Sequence, residues 1–202
     1  SRSNHGNMSL RLPGTDTFLM TGVSSFTAVR ADQLVVLDLQ GNLVEGEIEA
    51  RNAEVIQMHA VVYRERPEVG SVLHTHSPFA TAFAVASRTI PLFYEAEVRN
   101  DILEGVPLAG YGPRGSDESV NNIAALLKAH DQIKGVLLEN HGVLAFSNNA
   151  RGAAQANIII EETAQLALYA EVLGGPTLLT PERAGAAIQR RDAFEGRGTQ
   201  KA

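Results

Sequence analysis

The sequence contains no cysteine and no tryptophan, and aromatic residues make up only 5% of it. Without cysteine there are no disulfides and no thiolate ligands, so a bound metal has only His and carboxylate to draw on. A chain free of disulfides suits a reducing compartment, and a cytoplasmic location is the expectation. Long apolar runs are also missing. None approaches the roughly 20 residues that a membrane-spanning helix needs, and the opening Ser1-Arg2-Ser3-Asn4-His5 does not form a signal peptide. Positive charge is in the minority, with 17 Lys and Arg against 23 Asp and Glu for a net charge of −6. That balance argues against a phosphate-backbone binder, so neither nucleic acid nor membrane is an expected partner. What remains is 202 residues with 44% hydrophobic content, enough for one domain, 1–202, with a proper core.

Patterning along the chain predicts alternating elements. The opening segment reads as loop up to Thr17-Phe18-Leu19-Met20, a short apolar strand, and Thr21-Gly22-Val23-Ser24-Ser25 reads as a turn rich in backbone donors. Leu34–Asp38 has a buried-strand pattern, and Gln40-Gly41-Asn42 turns it back into Leu43-Val44 as a hairpin. From about Ala53 to Arg66, Val55, Ile56, His59, Val62 and Tyr63 recur at helical spacing until Pro67 ends the helix. Ser71–His76 reads as a strand, with Ser77-Pro78 as N-cap and first residue of a short helix to about Ser87. Ser116 caps a helix to about Leu127, with Asp117 and Glu118 at its positive end. Two strands, 135–138 and 143–146, flank Glu139-Asn140-His141-Gly142. The longest helix spans about 150–173 and stops at Gly174-Gly175-Pro176. Thr180-Pro181 opens a last helix, which fades into a frayed tail from about Glu195.

Among six histidines, His74 and His76 are the informative pair. Residues two apart on a strand face the same way, so both imidazoles can reach one ion at ~2.0–2.1 Å. The pair ends an apolar strand just ahead of a helix, where functional side chains of α/β proteins emerge. On its own it is equally compatible with two histidines at a strand end by chance. Taken alone His141 reads as a hydrogen-bonded turn residue, but beside the pair it tips the balance, because Gly142 lets the backbone come close to whatever that imidazole binds. Three neutral imidazoles leave coordination positions open, as in catalytic rather than structural sites.

Four motifs in order, Gly6-Asn7-Met8-Ser9-Leu10-Arg11, Thr21-Gly22, Leu73-His74-Thr75-His76-Ser77-Pro78 and Asn140-His141-Gly142, resemble the class II aldolase/adducin superfamily. The resemblance runs from Gly6 to about Tyr169. It implies a three-layer α/β/α domain with a central, largely antiparallel sheet, and a homotetramer with active sites at subunit boundaries. It further implies a divalent metal, zinc or else manganese, cobalt or iron, held by His74, His76 and His141. By the same resemblance, Gly6, Asn7, Thr21 and Gly22 bind the phosphate of a small-molecule substrate, with Ser24 and Ser25 as further donors.

Two departures from the family pattern matter. Where the phosphosugar enzymes carry a serine pair and then an acid four residues ahead of a helical histidine, this chain reads Glu49-Ala50-Arg51-Asn52-Ala53-Glu54. There is no serine pair, and Glu54 stands five before His59. Arg51 can grip a carboxylate or a phosphate through its planar fork, so a keto acid or sugar acid is as fitting a substrate as a phosphosugar. The second departure is that a helix usually precedes the G-N motif, whereas this sequence begins almost on it.

Glu54 is the expected general base, with Glu49 and Glu95 as fallbacks, and Tyr94 is the expected counterpart of a tyrosine that protonates the aldehyde oxygen across an interface. On the plainer side, Glu54 is a first-turn glutamate, Tyr94 and His59 are core residues, 111–115 is a plain loop rather than a lid or interface loop, and Glu162 is a structural or intersubunit charge. The expected activity is metal-dependent carbon–carbon cleavage, retro-aldol or the related decarboxylation, through a metal-stabilised enolate. A sugar-phosphate epimerase is the enzymatic alternative. A non-catalytic adducin-like interaction module is the third, and the intact histidine trio speaks against it.

Overall fold

A computed structural model describes residues 5–25 and 29–196. Its elements are β1 (Gly6–Arg11), β2 (Thr17–Thr21), β3 (Leu34–Asp38), β4 (Leu43–Glu45), α1 (Ala50–Ala53), α2 (Ile56–Glu65), β5 (Ser71–Thr75), α3 (Pro78–Val85), α4 (Glu95–Arg99), β6 (Leu108–Ala109), α5 (Asp117–Ala129), β7 (Gly135–Leu138), β8 (Gly142–Ser147), α6 (Ala150–Val172) and α7 (Pro181–Glu195). The eight strands form one sheet in the order β4-β3-β2-β1-β5-β8-β7-β6. Every pairing is antiparallel except β6 with β7. The largely antiparallel sheet flanked by helices is therefore as expected.

Strand alternation sorts the core into two halves. On β8, Leu144 and Phe146 point into a cluster with Val61 and Tyr63 of α2 and Ile123 and Leu127 of α5. Val143 and Ala145, one residue out of step, point into the opposite cluster with Phe83 of α3 and Ile159 and Ile160 of α6. The sheet is thus buried on both faces along its centre. β5 sits there, between β1 and β8, and all five of its residues are buried.

Three expectations need correction. The opening loop contains β1, which pairs with both β2 and β5. The single helix expected over 53–66 is two pieces: α1 ends at Ala53, Glu54 and Val55 lie between them, and α2 begins at Ile56. Ser77 precedes α3, but its hydroxyl does not cap it. That oxygen bonds Thr75 Oγ1 at 2.8 Å, while the Phe79 and Ala80 amides donate to the Glu161 carboxylate from α6 at 3.1 and 2.9 Å. Helix α4 and strand β6 were not foreseen. The expected caps Ser116 and Thr180 do accept amides, from Ser119 and Arg183. Of the tail expected to fray from about Glu195, Glu195 still belongs to α7 and everything after Gly196 lies outside the described residues.

Central and edge strands should respond differently to truncation. Leu144→Ala, at a fully buried position, is expected to cost about 2–5 kcal/mol. Val44→Ala on the exposed edge strand β4 should stay within about 0.5 kcal/mol. Urea unfolding of both variants checks the contrast.

Candidate metal centre

His74 is the next-to-last residue of β5, and the chain leaves the sheet at His76. β7 and β8 are joined by a turn in which Asn140 takes a left-handed conformation, φ 56°, which Asn tolerates better than most residues. His141 N–H donates to Leu138 O at 3.0 Å, closing that turn beside the end of β5. Gly142 lies against it so closely that a Cβ there would meet Thr75 O at 2.6 Å and His76 Cδ2 at 2.9 Å. Glycine is required because the turn must approach the two histidines this tightly.

The three imidazoles meet at this corner. His74 and His141 have ring centroids 4.7 Å apart, and His76 lies 5.0 and 5.2 Å from them. One nitrogen of each can be chosen so that all three lie within 4.8 Å of one another, the one such His or carboxylate group among the described residues. His74 Nδ1 lies 3.0 Å from Val143 O, to which it donates, leaving Nε2 as a bare lone pair. His74 Nε2 and His76 Nε2 stand 3.2 Å apart. Two nitrogens bound at ~2.0–2.1 Å to one tetrahedral ion stand about 3.3 Å apart, so the donor set fits a divalent metal.

Electrostatics keep the trio neutral. Burial lowers the pKa of His74 far below the ordinary histidine value, with His141, His76 and His59 adding to the effect. His141 falls to about 4 through burial and the charges of His76 and Arg114. His76 is lowered by burial, then by His5 and Arg114. Neutral imidazole is the ligand form.

Between the two histidines, Thr75 turns to the other face of the sheet. Its hydroxyl donates to Asn157 Oδ1 of α6 at 2.7 Å, and Asn157 Nδ2 donates to Ser77 Oγ at 3.2 Å. The end of β5 is thereby pinned from both faces.

A cavity of about 280 Å³ opens beside His74 and His76, lined also by His5, Gly6, Asn7, Ser24, Arg51, Asn52, Glu54 and Arg114. The expected residues Glu54, Arg51, Asn7, Gly6 and Ser24 thus lie on one wall system with two of the histidines. The break between α1 and α2 removes the objection to Glu54's spacing from His59, because Glu54 is not on α2 at all. It also lines a small recess with His141.

The expected anion-binding turn is largely occupied by the protein itself. Gly22 N–H donates to Gln33 O at 2.7 Å, and the Ser24 amide and hydroxyl donate to Glu49 at 3.2 and 3.0 Å. Thr21 Oγ1 accepts from Met8 N at 3.2 Å, and neither Thr21 nor Gly22 lines the cavity. Tyr94 is not on that wall either. Within one chain its hydroxyl meets Glu162 at 3.3 Å, and that carboxylate's charge raises its pKa. Nor is Tyr94 a buried core tyrosine. His5 and Arg114 were not foreseen as neighbours of the site. His5 carried no pattern, and Arg114 arrives from a loop that only tertiary folding brings across.

His59 is a core histidine, as its plainer reading held, and it organises the wall. Tyr63 OH lies 2.7 Å from Ser9 Oγ, Ser9 Oγ 2.8 Å from His59 Nδ1, and His59 Nε2 2.6 Å from Asn7 Oδ1. Run from Tyr63 as first donor, the chain ends at the Asn7 carbonyl and leaves the Asn7 NH2 group free to donate. Asn7 is paired in register with His74, so those donors stand beside the histidine trio.

The family model for the class II aldolase and adducin N-terminal domain matches residues 1–168, and the chain belongs to that family. An L-fuculose phosphate aldolase of Methanococcus maripaludis is 26% identical over 162 residues, 80% of this chain and 83% of that protein. A probable L-ribulose-5-phosphate 4-epimerase of Mycoplasma pneumoniae is 27% identical over 97% of this chain and 87% of its own length. Among solved structures, an L-fuculose 1-phosphate aldolase superposes with a TM-score of 0.83 at 25% identity, covering 94% of this chain and 87% of that one.

Burial of neutral His59 ties stability to pH. Its pKa is lowered from 6.5 to about 3, so the unfolded chain takes up a proton that the folded chain refuses. The stability it contributes is complete above pH 6.5 and is lost as pH falls towards 3. In metal-free protein, His59→Gln is expected to remove up to about 1.4 kcal/mol per pH unit from the slope of unfolding free energy between pH 6 and 4. An unchanged slope in urea titrations would show that His59 is not held neutral.

Proposed function

We propose that the protein is a metal-dependent lyase that cleaves a carbon–carbon bond of a small hydroxy-carbonyl or sugar-derived substrate, by retro-aldol reaction or the related decarboxylation. The observation that carries this is the convergence of three neutral imidazoles beside a cavity whose wall holds a carboxylate, Glu54. His74, His76 and His141 would hold zinc or another divalent ion. When bound, that ion supplies Lewis-acid stabilisation of the negative charge left as the bond breaks.

The chain's own residues supply the rest. Asn7 and Arg51 orient the substrate's polar groups through N–H donors that face the cavity, and Glu54 takes or returns the proton at the carbon next to the carbonyl. Hydrophobic packing behind the site, with Val55 and Met58 lining the Glu54 recess, keeps bulk water from one side of that carboxylate. Tyr94 joins such a site only from a second subunit. The exposed apolar positions Ile158, Tyr169, Val172 and Leu173 on and just after α6 support an oligomer, a homotetramer by family resemblance. An epimerase, which breaks and remakes the same bond, is the second reading, favoured by similarity to the Mycoplasma protein over 97% of the chain. Release of two products from one substrate separates the two.

His74→Ala, His76→Ala and His141→Ala are each expected to lose stoichiometric metal and activity with the circular dichroism spectrum preserved. Full metal content in any one of them removes that residue from the ligand set. Glu54→Gln should keep the metal yet lose a factor of roughly 10²–10⁴ in rate. A variant within about threefold of wild type would hand the proton transfer to another group.

A further inference from the structure

Arg114 lies in the loop between β6 and α5, the segment that sequence alone marked only as loop. The backbone of that loop is anchored at both ends. Tyr111 N–H donates to Glu139 at 2.7 Å, Asn122 Nδ2 donates to Gly110 O at 2.9 Å, and Ser116 N–H donates to Pro113 O at 2.9 Å. Gly115 takes a left-handed φ of 81°, and a Cβ there would meet Glu54 O at 3.1 Å. The loop is thus seated directly on the Glu54 backbone.

That side chain has two engagements. Its Nε meets Glu54 Oε2 at 3.1 Å, and its Nη2 donates to the Arg51 carbonyl. Both partners of the ion pair are substantially exposed, at 39% and 53%, and exposed pairs contribute little to stability. The pair is therefore easily exchanged for a better one. The wall also carries the Arg51 guanidinium, which has no partner among the described residues. Two arginines and one carboxylate residue, Glu54, line that cavity. Meanwhile the Gly22 and Ser24 amides, donors of the turn expected to receive an anion, are already satisfied by Gln33 and Glu49.

We propose that Arg114 is the specificity-determining residue for an anionic group on the substrate, and that this group binds by displacing Glu54 from the Arg114 guanidinium. The inference rests on the cavity beside the histidines being the reaction site. Its chemical content is a planar fork gripping a carboxylate or phosphate, with Arg51 alongside. Its consequence is that binding of a substrate of the right charge frees Glu54 from the ion pair to act as base. A substrate without the anionic group leaves Glu54 tied to Arg114.

Three hydroxyketones that differ only in the appended group test this: hydroxyacetone, hydroxypyruvate and dihydroxyacetone phosphate. Calorimetric binding is measured on zinc-loaded and on EDTA-treated protein. Wild type is expected to prefer one or both anionic ketones over hydroxyacetone by about tenfold or more, and whichever is preferred identifies carboxylate or phosphate. Arg114→Ala should abolish that preference, read as the ratio of anionic to neutral ketone affinity, and Arg114→Lys should restore only part of it. Glu54→Gln should tighten the anionic ketone in the wild-type background and have no effect in Arg114→Ala, a coupling that a merely structural ion pair would not produce. A preference that survives in Arg114→Ala, or no preference in wild type, overturns the proposal. Loss of zinc dependence for all three ketones would instead count against the metal centre, and the Arg114 outcome would still be read from the ratio of affinities.

Discussion

The hydrogen bond from His74 Nδ1 to Val143 O is the interaction on which the site depends. It crosses from β5 to β8 in the middle of the sheet, at 3.0 Å and fully buried. It fixes the tautomer, the ring plane and the direction of the Nε2 lone pair together. His76 and His141 then need only reach the same point. The strand end brings one and the glycine-tight turn brings the other. Because Leu144 and Phe146 bury one face of β8 while Val143 and Ala145 bury the other, the carbonyl that receives the bond cannot move without disturbing both halves of the core. Positioning of the trio is thus a consequence of packing, which is what a rigid site requires.

On the α2 face the sheet gives up apolar contact for a line of polar groups. Asn7, His59, Ser9 and Tyr63, in that order, are all buried, and each is joined to the next at 2.6–2.8 Å. Buried polar groups are tolerated when every one is satisfied. The line runs from the interior to the cavity wall, where it ends on a side chain that can address a ligand. Arg11 closes the inner end by donating to Tyr63 O at 2.5 Å and stacking its guanidinium over the Tyr63 ring at 5.1 Å.

What was legible in the sequence followed from periodicity and local chemistry. His74 and His76 two apart on a strand, and Gly142 after His141, announce a shared focus without knowledge of the fold. The apolar runs of β3, β5, β7 and β8 and the long stripe of α6 announce the layers. β1 was missed because Asn7, Ser9 and Arg11 occupy its inward positions, so its alternation is polar on the buried side. The break at Glu54 was missed because Val55 and Ile56 continue the apolar spacing through it. The ion pair of Arg114 with Glu54 spans 60 positions of chain and leaves no local trace. Ser24 and Gly22 were read as open donors because sequence does not reveal that Glu49 and Gln33 return to take them.

The central claim is that His74, His76 and His141 define one metal position. Anomalous scattering at the zinc edge from crystals of the zinc-loaded protein tests it most directly. The account requires a single dominant peak at ~2.0–2.1 Å from a nitrogen of each of the three imidazoles, with Nε2 of His74 as its donor. A peak coordinated by fewer than all three of these histidines, or zinc found only at surface carboxylates, would contradict it.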